Sequence, residues 1–223
     1  MFGRISSLVN DLIHDPVGFL LMLAAILLSL ILHEVAHGYV AMKCGDRTAY
    51  MFGRITLNPA KHLDPIGTLC MLFLGVGWAK AVPVNPRNFR HYRRDMILVS
   101  LAGIATNFIL FIVSLTANLL LLKYRPYSDS VFVQYLRMFL SYLTSMNIGL
   151  AIFNLIPVPP LDGYRVLDQL VLKGRFALDR NAENTIRIVF LVVCMSGVLD
   201  SLLSTVINSV YSFFSGILIS ILF

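Results

Sequence analysis

His33-Glu34-Val35-Ala36-His37 spaces two imidazoles at i and i+4 and places one of the chain's two glutamates directly after the first of them. On a helix those positions share a face, so His33 and His37 can offer two ring nitrogens to one metal while Glu34 points at a bound water. This is the arrangement with which metalloproteases activate water for attack on an amide. The segment follows an apolar run from Val17 to Leu32, and a carboxylate at membrane depth costs enough to mark a functional site by default. The plainer reading is a pair of helix histidines satisfied by their neighbours, beside a chance glutamate.

Two imidazoles do not complete a catalytic zinc site, which takes three protein ligands and leaves one position open. The candidates for the third ligand are Asp162, Asp200, His62 and Asp64. Asp162 ends a second informative segment, Asn154-Leu155-Ile156-Pro157-Val158-Pro159-Pro160-Leu161-Asp162-Gly163. Its prolines donate no amide hydrogens, so the backbone must leave the helix, and irregular chain at membrane depth is tolerated only against protein or a wet cavity. Asp162 could ligate zinc, Gly163 could permit close approach, and Asn154 could hold a substrate backbone or an oxyanion. As plain structure, Asn154 and Asp162 would be a helix cap and a turn.

The elements that must position these groups are membrane helices. The chain has 223 residues, 57% hydrophobic and 13% charged, with a mean hydropathy of +0.78, far from the soluble balance of about a quarter charged. That predicts an α-helical integral membrane protein forming one polytopic domain over 1–223. The net charge of +6 does not point to nucleic acid, because the basic residues flank apolar spans and form no stripe; membrane lipid and topology account for them. Cys44, Cys70 and Cys194 are far apart and form no CxxC pair, which excludes a thiolate zinc site. The first sixteen residues carry one Arg, two Asp and no small-residue cleavage site, which predicts a short interfacial segment before a retained first span.

Spans are expected at about 17–42, 96–122 and 131–156, with a β-leaning piece near Tyr50 to Leu57 in a loop with a hairpin. Ile66 to Val82 is apolar but short for a span, and is expected to re-enter. The C-terminal stretch 186–223 is too long for one span, so it should hold a span plus an interfacial helix, or a helical hairpin. The HEVAH segment and Asp162 lie near the C-terminal ends of different spans, so they meet only if those spans run parallel, which requires 66–82 to dip in and return. Charge supports this: the re-entrant topology gathers fourteen of the eighteen basic residues on one side, leaving Arg4, Lys123, Arg125 and Arg137 opposite. The positive-inside rule then puts the site toward the cytoplasm.

HEVAHGYVA followed by NLIPVPPLDG, with GDRTAYMFGRITLNPAKHLDPIGT, GWAKAVPVNP and AGIATN between them, resembles the site-2 protease family of intramembrane zinc metalloproteases, in its short branch without a PDZ domain. The likeness covers roughly residues 17–170. It implies one Zn2+ held by His33, His37 and Asp162, Glu34 as general base, and a three-span catalytic core with a β-containing segment that helps present an extended substrate. Asn154, and with it Asn107, would position the substrate strand. The expected substrates are transmembrane or membrane-anchored proteins, cut in a bacterial or archaeal cell membrane. A rival from another class is a zinc-binding membrane protein without proteolytic activity, a transporter or a membrane chaperone; one compact ligand cluster and no inverted repeat argue against transport.

Overall fold

The computed structural model describes residues 13–64, 67, 80–172 and 179–223. Its helices are α1 (Pro16–Lys43), α2 (Thr48–Met51), α3 (Tyr92–Tyr124), α4 (Val131–Asn154), α5 (Asp162–Leu167), α6 (Arg180–Ser196) and α7 (Val198–Leu222). Four of them, α1, α3, α4 and α7, are long and apolar enough to cross a membrane. The first helix starts where its sequence dictates: Pro16 occupies the first turn, and the Asp15 carboxylate accepts the Gly18 N–H at 2.9 Å, satisfying one of the amides that a helix start leaves unpaired. The expected interfacial segment before it, and nearly all of the expected re-entrant segment Ile66–Val82, lie outside the described residues.

The core is made by α1, α3 and α4, each packed on the other two. Within a bilayer apolar side chains gain little from facing one another rather than lipid, so close packing and buried polar contacts decide which faces meet. Small residues line the seam: Ala25, Ser29 and Ala41 are fully buried on α1. Asn147 of α4, also fully buried, donates to Ser29 Oγ at 2.8 Å, and Thr144 donates to Ser114 of α3 at 2.9 Å. Farther along, Phe111, Leu115 and Ile148 form an apolar cluster against which Ile207, Val210, Phe214 and Leu218 of α7 pack. The C-terminal stretch is thus two helices broken at Gly197, whose φ of 77° is left-handed and suits glycine.

The chain between α1 and α3 returns to the end of the bundle it left. Arg90 N–H donates to the Cys44 carbonyl at 3.1 Å, joining the start of α3 to the end of α1. Asp46 reinforces the junction: its carboxylate accepts Asn85 N–H at 2.6 Å, Asn88 Nδ2 at 2.8 Å, Thr48 N–H at 3.1 Å and the Thr48 hydroxyl. Burial pushes the Asp46 carboxyl up, but these bonds more than reverse it and hold it below the usual carboxylate range.

The β-leaning piece expected near Tyr50 to Leu57 is not a strand. Among the described residues it begins as the helical turn α2 and continues through a turn at Gly53, φ 61°. Asp46 captures the Thr48 amide and hydroxyl, and that local turn chemistry overrides the β preference of the aromatic and branched side chains that follow.

Candidate metal centre

His33 and His37 lie one turn apart on the inner face of α1, both buried. Asp162 is the first residue of α5, reached after Pro157, Pro159 and Pro160 have stopped α4 from continuing. The three side chains converge. Asp162 Oδ2 is 3.3 Å from His33 Nε2 and 3.2 Å from His37 Nε2, and the two Nε2 atoms are 3.0 Å apart. Tetrahedral zinc with bonds of about 2.0–2.1 Å separates its ligand atoms by about 3.3 Å, so the triangle has the size that three zinc ligands require. Among the described residues no other group of three or more His, Cys, Asp or Glu side chains is arranged to hold a metal. Asp162 therefore joins the imidazoles, whereas His62 turns its Nε2 to the Thr56 carbonyl at 2.8 Å, Asp64 accepts the Gly67 N–H, and Asp200 lies in the first turn of α7.

The surroundings fix how the triangle presents itself. His37 Nδ1 is 2.7 Å from the Val99 carbonyl of α3; since a carbonyl can only accept, Nδ1 carries the proton and Nε2 keeps the lone pair a metal needs. Asn107, fully buried on α3, lies 3.2 Å from His33 Nδ1, and its own Oδ1 is buried without a partner. Turning that amide over presents Oδ1 to an Nδ1–H, again the tautomer that leaves Nε2 free. Two neutral imidazoles and one carboxylate are the kind of donor set a catalytic zinc site uses, and among the described residues no fourth His, Cys, Asp or Glu joins them.

Two glycines make the approach possible. A Cβ on Gly103 of α3 would lie 2.5 Å from His33 Cε1 and from His37 Nε2, so the backbone of α3 forms the wall behind both rings. A Cβ on Gly163 would lie 2.4 Å from the Leu155 carbonyl oxygen; only glycine lets the Asp162 turn stack on the end of α4. Glu34, half-buried, does not join the triangle, and its Oε2 accepts the Val82 N–H at 2.8 Å.

The two asparagines expected to hold substrate are placed differently from each other. Asn107 touches His33 and is shut away from solvent. Asn154, half-buried at the end of α4, donates from Nδ2 to the Leu150 carbonyl at 3.0 Å. Sequence reasoning passed over Gly103, the Val99 carbonyl and Val82. Gly103 lies inside AGIATN, and a glycine within an apolar span four residues before an asparagine was the available signal; the other two act through backbone atoms and left none.

The sequence profile of Peptidase family M50 matches residues 124–197, a stretch that contains Asp162. YwhC of Bacillus subtilis (strain 168), named as a candidate zinc metalloprotease, is 42% identical over 200 residues, covering 88% of this chain and 91% of that protein. Rip2 of Mycobacterium tuberculosis (strain ATCC 25618 / H37Rv), named in the same way, is 33% identical over 156 residues, covering 67% of this chain and 57% of its own length. Rip2 of Mycolicibacterium smegmatis is 32% identical over 155 residues. No solved structure matches. With motifs that resemble the short-form site-2 proteases, a donor triangle of zinc dimensions and relatives named for zinc proteolysis, the chain belongs to peptidase family M50 and is a multi-pass membrane protein.

Proposed function

We propose that this protein is an intramembrane zinc metalloendopeptidase that hydrolyses peptide bonds in transmembrane or membrane-anchored substrates. The observation that carries the reading is the triangle of His33 Nε2, His37 Nε2 and Asp162 Oδ2, with edges of 3.0 to 3.3 Å, formed beside Glu34 on a membrane helix. Zinc bound by these three atoms would lower the pKa of a coordinated water toward neutrality and polarise the scissile carbonyl. Glu34 takes the water's proton and passes it to the leaving amine. The Val82 N–H donates to Oε2, and in this reading Oε1 is the oxygen that would receive the proton. Val99 and Asn107 would hold the two imidazoles in their ligating tautomers, and Asn154, at the end of α4, would position the substrate strand.

The site faces the cytoplasmic side of a bacterial or archaeal cell membrane in this reading. Its support is the basic residues in and around the chain from 43 to 94, which share the end of the bundle where α1 closes and α3 opens, together with the positive-inside rule. The test is cleavage of a transmembrane-segment reporter in proteoliposomes. A chelator should stop cleavage and added zinc restore it, and Glu34→Gln should cut the rate by about 100-fold or more with zinc still bound. Cleavage that survives Glu34→Gln would overturn the role assigned to Glu34.

A further inference from the structure

Arg54 belongs to the loop between α2 and α3 and takes no part in the metal triangle, yet its side chain is buried to 8% exposure and its Nε is buried without a partner. Among the described residues no acidic side chain forms an ion pair with it. A buried guanidinium without a counter-charge is costly, so its compensation must come from elsewhere. Arg54 Nη2 donates to the Lys80 carbonyl at 2.6 Å and to the Ala81 carbonyl at 3.3 Å. The Ala81 carbonyl and the Val82 N–H are two ends of one peptide group, and that N–H donates to Glu34 Oε2 at 2.8 Å. Cation, peptide dipole and carboxylate thus lie in series, each polarising the next in the favourable sense. Lys80 is tied from behind by its own N–H to the His62 carbonyl at 2.8 Å, and Val82 packs toward Gly38, where a Cβ would meet its Cγ1 at 3.0 Å.

We propose that Arg54 is a positioning residue for Glu34 and its electrostatic counterpart, acting through the Ala81–Val82 peptide. The guanidinium fixes the 80–82 strap so that the Val82 amide holds one carboxylate oxygen and leaves the other free to accept a proton. The inference rests on the reading of Glu34 as general base, and it concerns Arg54, a residue to which neither the sequence nor the proposed function assigned a role in the chemistry.

The test is a double-mutant cycle on thermal unfolding of the detergent-purified full chain, with wild type, Arg54→Gln, Glu34→Gln and the double variant. Coupling predicts that the drop in melting temperature caused by Arg54→Gln shrinks by about 2 °C or more in the Glu34→Gln background. Additive shifts would overturn the proposal, because an arginine that only props the loop does not sense the charge on Glu34. Where Arg54→Gln does not accumulate, Arg54→Lys carries the same cycle, with non-additivity again expected and additivity again contrary. On the reporter substrate Arg54→Gln should lower kcat about 10- to 100-fold with KM within about twofold and zinc content unchanged; a rise in KM alone would contradict the assignment. The cycle needs no substrate, so a wild type without proteolysis would overturn the proposed function and leave this coupling to be judged on stability alone.

Discussion

Replacing Gly103 with alanine tests how tightly α3 backs the ligand pair. The added methyl would sit 2.5 Å from His33 Cε1 and His37 Nε2 and 2.7 Å from His33 Nδ1, about 1 Å inside an ordinary contact of roughly 3.5 Å. The helix cannot withdraw freely, because it packs on both α1 and α4 and carries the Val99 carbonyl and Asn107 that hold the two rings. Without metal the rings can turn aside, whereas binding drives them back against the methyl, so the strain enters the dissociation constant. Overpacking of this kind costs about 1–3 kcal/mol, and at about 1.4 kcal/mol per tenfold zinc should bind roughly 10- to 100-fold more weakly. Competition with a chelator of known affinity on detergent-purified protein reads this directly. Gly149→Ala is the control, since a Cβ there meets nothing within 4 Å, and it should leave zinc affinity unchanged. Wild-type affinity in Gly103→Ala, or equal losses in both variants, would refute the reasoning.

Three further outcomes follow from contacts already described. Asp46 has a folded pKa below its unfolded value of about 3.9, so its contribution to stability is complete above about pH 4 and is lost as pH falls from there through the folded pKa. Asp46→Asn should therefore melt below wild type at pH 7, and the gap should close as pH is taken below about 4 in thermal unfolding. Asn147→Ala removes donors to Ser29 Oγ and the Leu143 carbonyl, each at 2.8 Å; it should destabilise by about 0.6–1.7 kcal/mol in denaturant unfolding while leaving zinc content at wild type. Gly163→Ala, whose Cβ would meet a backbone oxygen at 2.4 Å, should displace Asp162 and lower zinc occupancy in metal analysis even though the carboxylate is still encoded.

The bundle and the candidate ligands were legible because each rests on a strong local signal. Apolar runs of spanning length predicted α1, α3 and α4 to within a few residues of their ends, and the i, i+4 histidines could share a helix face whatever surrounded them. The family resemblance implied that Asp162 would join them, parity allowed this only if 66–82 re-enters, and the three side chains lie 3.2 and 3.3 Å apart. What sequence missed depends on tertiary backbone placement. Tyr50 to Leu57 carries β-leaning side chains, but Asp46, several residues earlier, captures Thr48 and starts a helical turn. Asn107 reads either as an interhelical hydrogen-bond residue or as a substrate contact until α3 is set against His33. Arg54 counted in the sequence only as one more basic residue for topology, whereas its guanidinium is buried against the 80–82 backbone.

Metal content of the purified protein, measured by mass spectrometry for wild type, Asp162→Ala and Glu34→Gln, tests the central claim most directly. The account predicts one zinc per chain in wild type, retention in Glu34→Gln, and loss or marked weakening in Asp162→Ala. Zinc that persists at full occupancy without Asp162, or a wild type that binds none, would contradict it.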